Sequence, residues 1–168
     1  MNLPDDKLPV KALLLDRELV RDVYALRTRH GNPPHDEVWA GTLVLNPLPD
    51  NIHRRLCTEF ALALRAAAGA AVLIGANVAA GGPDWLHDFR CPDVVVYLAS
   101  NPAKDGDTHW IGGPDVAVEV VSPGEDPRLK LDFYAKVNTR ELLIVERDPW
   151  AVELHRLHGD RLALAGRS

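Results

Sequence analysis

Apolar positions along the chain switch between a helical and an alternating or continuous rhythm. Over 16–27, Leu19, Val23 and Leu26 recur at helical spacing with charges between them, after a loose, proline-containing lead-in over 1–12. Gly31-Asn32-Pro33-Pro34 ends that segment. Residues 37–45 place Gly41 before Thr42-Leu43-Val44-Leu45, which predicts a short hairpin closed by Pro47 and Pro49. Asp50 or Asn51 can then cap a helix in which Ile52, Leu56, Phe60 and Leu64 recur every four residues until Gly69 stops it. The small apolar run 70–78 predicts a strand, and 79–84 a glycine-rich turn. Valine-rich strands follow at 93–98 and 116–121, with a turn-rich loop over 101–113 between them. A helix over about 127–138 puts Leu129, Phe133 and Val137 on one face, and a strand over 141–146 follows. A hairpin of 152–157 and 161–164 around His158-Gly159-Asp160 closes the pattern.

From residue 51 to 146 the order is helix, three strands, helix, strand. That order implies an α/β (α+β) chain with a central mixed sheet flanked by helices, an extra N-terminal hairpin and an extra C-terminal hairpin. A length of 168 residues suits one globular domain, read as a lead-in and helix over 1–35 and a main domain over 36–168. No stretch is long enough to cross a membrane, and the N-terminus carries Pro4, Asp5, Asp6 and Pro9 in place of a basic-then-apolar leader, so a cytoplasmic location is expected. Two cysteines, Cys57 and Cys91, make no disulfide framework. A net charge of −5 argues against a dedicated high-affinity nucleic-acid binder, while leaving room for an enzyme that touches nucleic acid through a local basic patch.

The chemistry is concentrated in Pro114-Asp115-Val116-Ala117-Val118-Glu119-Val120-Val121-Ser122-Pro123. A carboxylate in the middle of a buried valine strand must be paired, protonated or bound to a cation, because burying it bare is too costly. Asp93 opens a second valine run, and neighbouring strands can bring it to Glu119. Hard magnesium prefers such carboxylates, with a backbone carbonyl (that of Val120) and water as further ligands. Lys130 falls early on the next helix, where an ammonium can orient water or stabilise a pentavalent phosphate. Tyr134, four residues on, shares its face. Together these residues suggest a magnesium-dependent phosphodiester-cleaving site, manganese being able to substitute.

Those strings, with Arg90-Cys91-Pro92-Asp93, Lys130-Leu131-Asp132-Phe133-Tyr134-Ala135 and Arg140-Glu141-Leu142-Leu143-Ile144-Val145, resemble the Uma-type restriction endonuclease family of the PD-(D/E)XK nuclease superfamily. The resemblance spans roughly residues 36–157. It implies a restriction-endonuclease-like core, Asp93 and Glu119 as metal ligands, and a lysine moved from two residues after the glutamate (here Val121) to the following helix, where Lys130 matches. It also makes Glu37, in the hairpin, a candidate third acid, and His53 the match for a histidine at the start of the next helix.

Other features point less sharply. His87, Cys91 and Asp93 lack the fourth ligand of a zinc set. His155 and His158 read as surface residues near a hairpin end, and Trp85, Trp110 and Trp150 as loop residues covering the core edge. Arg54, Arg55, Arg128, Lys130, Lys136 and Arg140 could face phosphate, or form an ordinary mixed-charge exterior. Gly112-Gly113-Pro114 lacks the lysine of a nucleotide-binding P-loop. The leading reading is an endodeoxyribonuclease that binds DNA weakly and salt-sensitively, with a homodimer left open. The alternatives are a non-catalytic nuclease-fold protein that binds nucleic acid or a protein partner, and a structural domain in which Glu119 pairs with Lys130.

Overall fold

The computed structural model describes residues 12–14, 16–29, 35–46, 49–69, 71–81 and 85–168. Most of the expected lead-in, the Gly31-Asn32-Pro33-Pro34 break, Pro47, and residues 82–84 of the expected turn lie outside the described residues. In chain order the elements are β1 (Ala12–Leu14), α1 (Arg17–Arg29), β2 (Glu37–Trp39), β3 (Thr42–Leu45), α2 (Asn51–Ala68), β4 (Ala71–Ile74) and β5 (Val78–Ala79). A 3-10 turn, Trp85–His87, leads to β6 (Phe89–Arg90), β7 (Val94–Tyr97), β8 (Lys104–Asp105), β9 (Trp110–Ile111) and β10 (Val116–Val120). A second 3-10 turn, Pro127–Lys130, runs into α3 (Leu131–Lys136), then β11 (Glu141–Arg147), β12 (Trp150–His158) and β13 (Arg161–Arg167).

The expected helix–three strands–helix–strand order is realised by α2, β4, β7, β10, α3 and β11. Asp50 caps α2 by accepting from the His53 amide at 2.7 Å, and Gly69 closes it in the left-handed conformation that glycine adopts without steric cost. Among the described residues the main sheet runs β13-β12-β11-β10-β7-β4. Its neighbours are antiparallel except β10 and β11, which are parallel and joined by the crossover through α3. One face packs Val95, Ala117, Leu142 and Ile144 against Phe133 and Tyr134 of α3. The other packs Val94, Val118, Val120 and Val145 against Cys57, with Leu56, Phe60 and Leu64 of α2 beside them. Cover on both faces is why β7 and β10 read as unbroken valine runs instead of alternating ones.

Several expectations need correction. The strand expected over 70–78 splits: β4 joins the main sheet, while β5 joins a second sheet ordered β1-β3-β2-β6-β5-β9-β8. Beyond the expected β2–β3 hairpin that second sheet carries no sequence signal, because β5, β6, β8 and β9 are two residues long and show no alternation to read. The expected loop over 101–113 contains β8 and β9, so Trp110 sits in a strand, stacked on Tyr97 at 3.9 Å. Trp150 begins β12 and is 63% exposed, so it covers no core edge. The helix expected over 127–138 opens as a 3-10 turn, with Pro127 in its first position and the Asp126 carboxylate accepting from the Arg128 amide. Ile52 and Leu129, both expected on apolar helix faces, are exposed. The C-terminal hairpin is longer than expected and extends the main sheet beyond β11.

Gly113 ties the starts of β10 and β11 together. A Cβ there would stand 2.5 Å from the Thr139 amide nitrogen and 2.7 Å from the Val137 carbonyl oxygen, both backbone atoms that cannot swing aside. Gly113→Ala is therefore expected to cost about 1–3 kcal/mol of stability. Chemical denaturation checks this, and an unchanged midpoint would mean that the loop opens freely.

Candidate active site

Glu119 is the fourth residue of β10, in register with Ile144 of β11, and its side chain lies on the α3 side of the sheet. The Lys130 ammonium, at the end of the 3-10 turn, donates to both of its oxygens at 3.0 and 2.9 Å, and the Tyr134 hydroxyl donates to Oε1. The shared face of Lys130 and Tyr134 is thus spent on one carboxylate. Lys130 also donates to Glu37 Oε1 at 2.8 Å. Glu37 comes from β2 of the second sheet and is fully buried. It takes further hydrogen bonds from the Cys91 amide at 3.0 Å and the Trp39 indole at 2.8 Å.

Asp93 stands immediately before β7, next to β10. Its amide donates to the Val118 carbonyl at 3.1 Å, and its carbonyl accepts from Gly75 at 3.1 Å, so its backbone is pinned on both sides. One carboxylate oxygen lies 2.8 Å from His53 Nε2 and the other accepts from the Val120 amide at 2.7 Å. His53 Nδ1 in turn meets Ser122 Oγ at 3.3 Å.

Asp93, Glu119, Lys130 and His53 line one cavity of about 260 Å³, together with Cys57 and Ser122. Glu37 lies behind Lys130 and does not line it. Val120 enters the site through its amide, on Asp93. Cys57 escaped sequence reasoning, although the signal was there: His53 and Cys57 are one helical turn apart on α2.

Two carboxylates, Glu37 and Glu119, share one ammonium, and their proton affinities divide accordingly. Burial and the nearby Asp93 and Glu37 charges push Glu119 up to about 7, with Lys130 pulling the other way. Burial also acts to raise Glu37, but the Lys130 charge and the hydrogen bonds from Lys130, Cys91 and Trp39 outweigh it and hold Glu37 low. Lys130 is raised, because its two carboxylates outweigh a desolvation that disfavours the charge. Burial similarly opposes a charge on His53, yet the hydrogen bond and charge of Asp93 raise its pKa. The donors on the Asp93–Glu119 side are hard oxygens with surplus negative charge, which fits a magnesium-type cation.

The remaining sequence candidates lie elsewhere. Among the described residues the His87–Cys91–Asp93 combination forms no metal group; the group that does assemble is His53, Cys57 and Asp93. His155 is buried against Glu153 at 3.1 Å, contrary to the surface position expected for it. Arg128 is held by Asp126, Glu146 and Glu153, Arg140 by Asp115, and Lys136 by Asp88. Lys130 is buried and therefore no part of the exterior. Among the described residues no helix is long and apolar enough to cross a membrane.

A mixed sheet with an αβββαβ core is a restriction-endonuclease-like fold. The chain belongs to the Uma2 family, described as "Putative restriction endonuclease", which matches residues 21–166. Its structure is similar to that of a "putative nuclease belonging to DUF820" from Anabaena variabilis, with a TM-score of 0.62 and 16% sequence identity over 77% of this chain and 75% of that one. No curated protein matches the chain in sequence.

Glu119 provides a pH test. Its folded pKa of about 7 exceeds the ordinary 4.5, so between these values the folded state binds more protons than the unfolded state. Stability contributed by this group is therefore present at low pH and lost as pH rises through about 7. Glu119→Gln cannot titrate, so its melting temperature relative to wild type should climb from about pH 5 to about pH 8. A pH-independent difference would mean that Glu119 is ionised throughout.

Proposed function

We propose that this protein is a magnesium-dependent endonuclease that hydrolyses phosphodiester bonds of DNA. The observation that supports the reading most is the convergence of Asp93, Glu119 and Lys130, from three different elements, on one open cavity. Membership of a restriction-endonuclease family supports the reaction class.

In this reading Asp93 and Glu119, with the Val120 carbonyl, would hold the magnesium ion, and manganese could replace it. When bound, the ion supplies Lewis-acid charge neutralisation and a nucleophile at neutral pH. His53 and the Val120 amide fix the orientation of Asp93. Lys130 keeps its proton between two carboxylates, so it serves as a donor that orients water or stabilises charge on the phosphoryl oxygens, and not as a base. Glu37, which accepts from Lys130 at 2.8 Å, would keep the ammonium in place with Glu119 free to hold the ion. Arg54, on the cavity wall, meets the backbone of the substrate. The net charge of −5 makes DNA binding weak and sensitive to salt, so cleavage is best sought at low ionic strength.

The buried Lys130–Glu119 pair is also what a purely structural role would use, and divalent cations separate the two readings. Magnesium or manganese should raise the melting temperature of the wild type by linkage. Asp93→Ala and Glu119→Ala should lose that response and all chelator-sensitive cleavage. Cleavage that survives Glu119→Ala would belong to a contaminant, and a cation response without cleavage of any nucleic acid would favour the non-catalytic alternative.

Lys130→Ala gives a separate signature. Removing the ammonium leaves Glu37 and Glu119 buried and unpaired, which should cost about 3–5 kcal/mol in metal-free protein. The same change clears a competitor from Glu119, so the magnesium-induced rise in melting temperature should be larger than in wild type while the cleavage rate falls. An equal or smaller rise would show that ammonium and cation do not compete.

A further inference from the structure

His53 and Cys57 lie one turn apart on the same face of α2, both buried, and Asp93 meets them from the start of β7. A His53 ring nitrogen, the Cys57 sulfur and an Asp93 carboxylate oxygen all lie within 4.8 Å of one another. His53 Nε2 and Asp93 Oδ1 are 2.8 Å apart and share a proton. The other ring nitrogen, Nδ1, has Ser122 Oγ at 3.3 Å. An outer hydrogen bond of this kind fixes the tautomer and ring orientation of a metal-binding imidazole. All four residues line the cavity of about 260 Å³, which leaves room for water as a fourth ligand.

Nitrogen, sulfur and oxygen donors on one cavity wall suit a borderline-soft cation, whereas magnesium takes oxygen. We infer that His53, Cys57 and Asp93 form a binding site for a thiophilic divalent cation of the zinc class, distinct from the Asp93–Glu119 pair but sharing Asp93 with it. Nε2 binds as a lone pair with the imidazole proton carried on Nδ1 toward Ser122 Oγ, any second ring proton and the Cys57 thiol proton leaving to solvent as the metal–ligand bonds form. A thiol binds such a cation as the thiolate, so affinity rises with pH. Because both sites draw on the Asp93 carboxylate, zinc competes with magnesium for it. That zinc thereby inhibits cleavage rests on the nuclease reading; the binding itself does not.

Cobalt(II) is the probe, titrated into the full metal-free chain. A near-ultraviolet sulfur-to-cobalt band with the visible bands of tetrahedral cobalt is expected, bleached by equimolar zinc. Cys57→Ser should abolish the sulfur band. Cys91→Ser should keep it, although Cys91 lines the same cavity. His53→Gln, with its cysteines intact, should weaken cobalt binding by about tenfold or more, and it decides the matter should Cys57→Ser fail to fold by far-ultraviolet circular dichroism. Absence of the band in wild type, its survival in folded Cys57→Ser, its loss in Cys91→Ser or unchanged affinity in His53→Gln would each overturn the assignment. These readings need no cleavage, so they stand or fall apart from the nuclease proposal.

Discussion

The Lys130 ammonium sits between Glu37 and Glu119, out of water, and holds three parts of the molecule to one point: Glu37 from the second sheet, Glu119 from the main sheet, and Lys130 from the turn that opens the crossover between β10 and β11. Charges removed from solvent are expensive, and a buried ion pair of this kind is a poor way to gain stability compared with apolar packing. Its hydrogen bonds compensate in part. Glu37 is fully supplied with donors, whereas Glu119 depends on Lys130 and Tyr134, and burial pushes it up to about 7. The cluster is thus asymmetric: Glu37 is held from several sides, while Glu119 faces the cavity beside Asp93.

The fold delivers this asymmetry by simple means. A parallel crossover places the turn after β10 directly above that strand, so a lysine eleven positions beyond Glu119 returns to it. The antiparallel pairing of β7 with β10 brings Asp93 to the Val118 carbonyl and the Val120 amide. α2, packed across the opposite face, presents His53 at its first turn, where the Asp50 cap fixes the helix start. Backbone contacts therefore set the positions of Asp93 and His53, and only Lys130 and Glu119 depend on side-chain reach.

How much of this was legible in the sequence varied with the kind of signal. Glu119 was visible because a charge inside a valine run has few explanations, and Asp93 because it opens a similar run. The Lys130–Tyr134 spacing correctly placed both on one face. Glu37 and His53 entered only through family resemblance: one stands in a strand of three residues, and the other looks like any polar residue in a first helical turn. Beyond the β2–β3 hairpin the second sheet left no trace, since β5, β6, β8 and β9 are two residues long and have no period. His155 looked like a surface residue because its near neighbour Glu153 is buried only where the folded sheet brings Arg128, 25 residues away, to that carboxylate. Such long-range charge partners are fixed by the folded sheet and not by neighbours in the chain.

The central claim is that the carboxylates of Asp93 and Glu119 hold a hard divalent cation in place of the Lys130 ammonium. A crystal structure grown with manganese, read at the manganese absorption edge, tests it directly. The account predicts an anomalous peak bonded to Asp93 and Glu119, with Lys130 withdrawn from Glu119 and still paired with Glu37. A cavity without a peak, and Lys130 unmoved between its two glutamates, would contradict it.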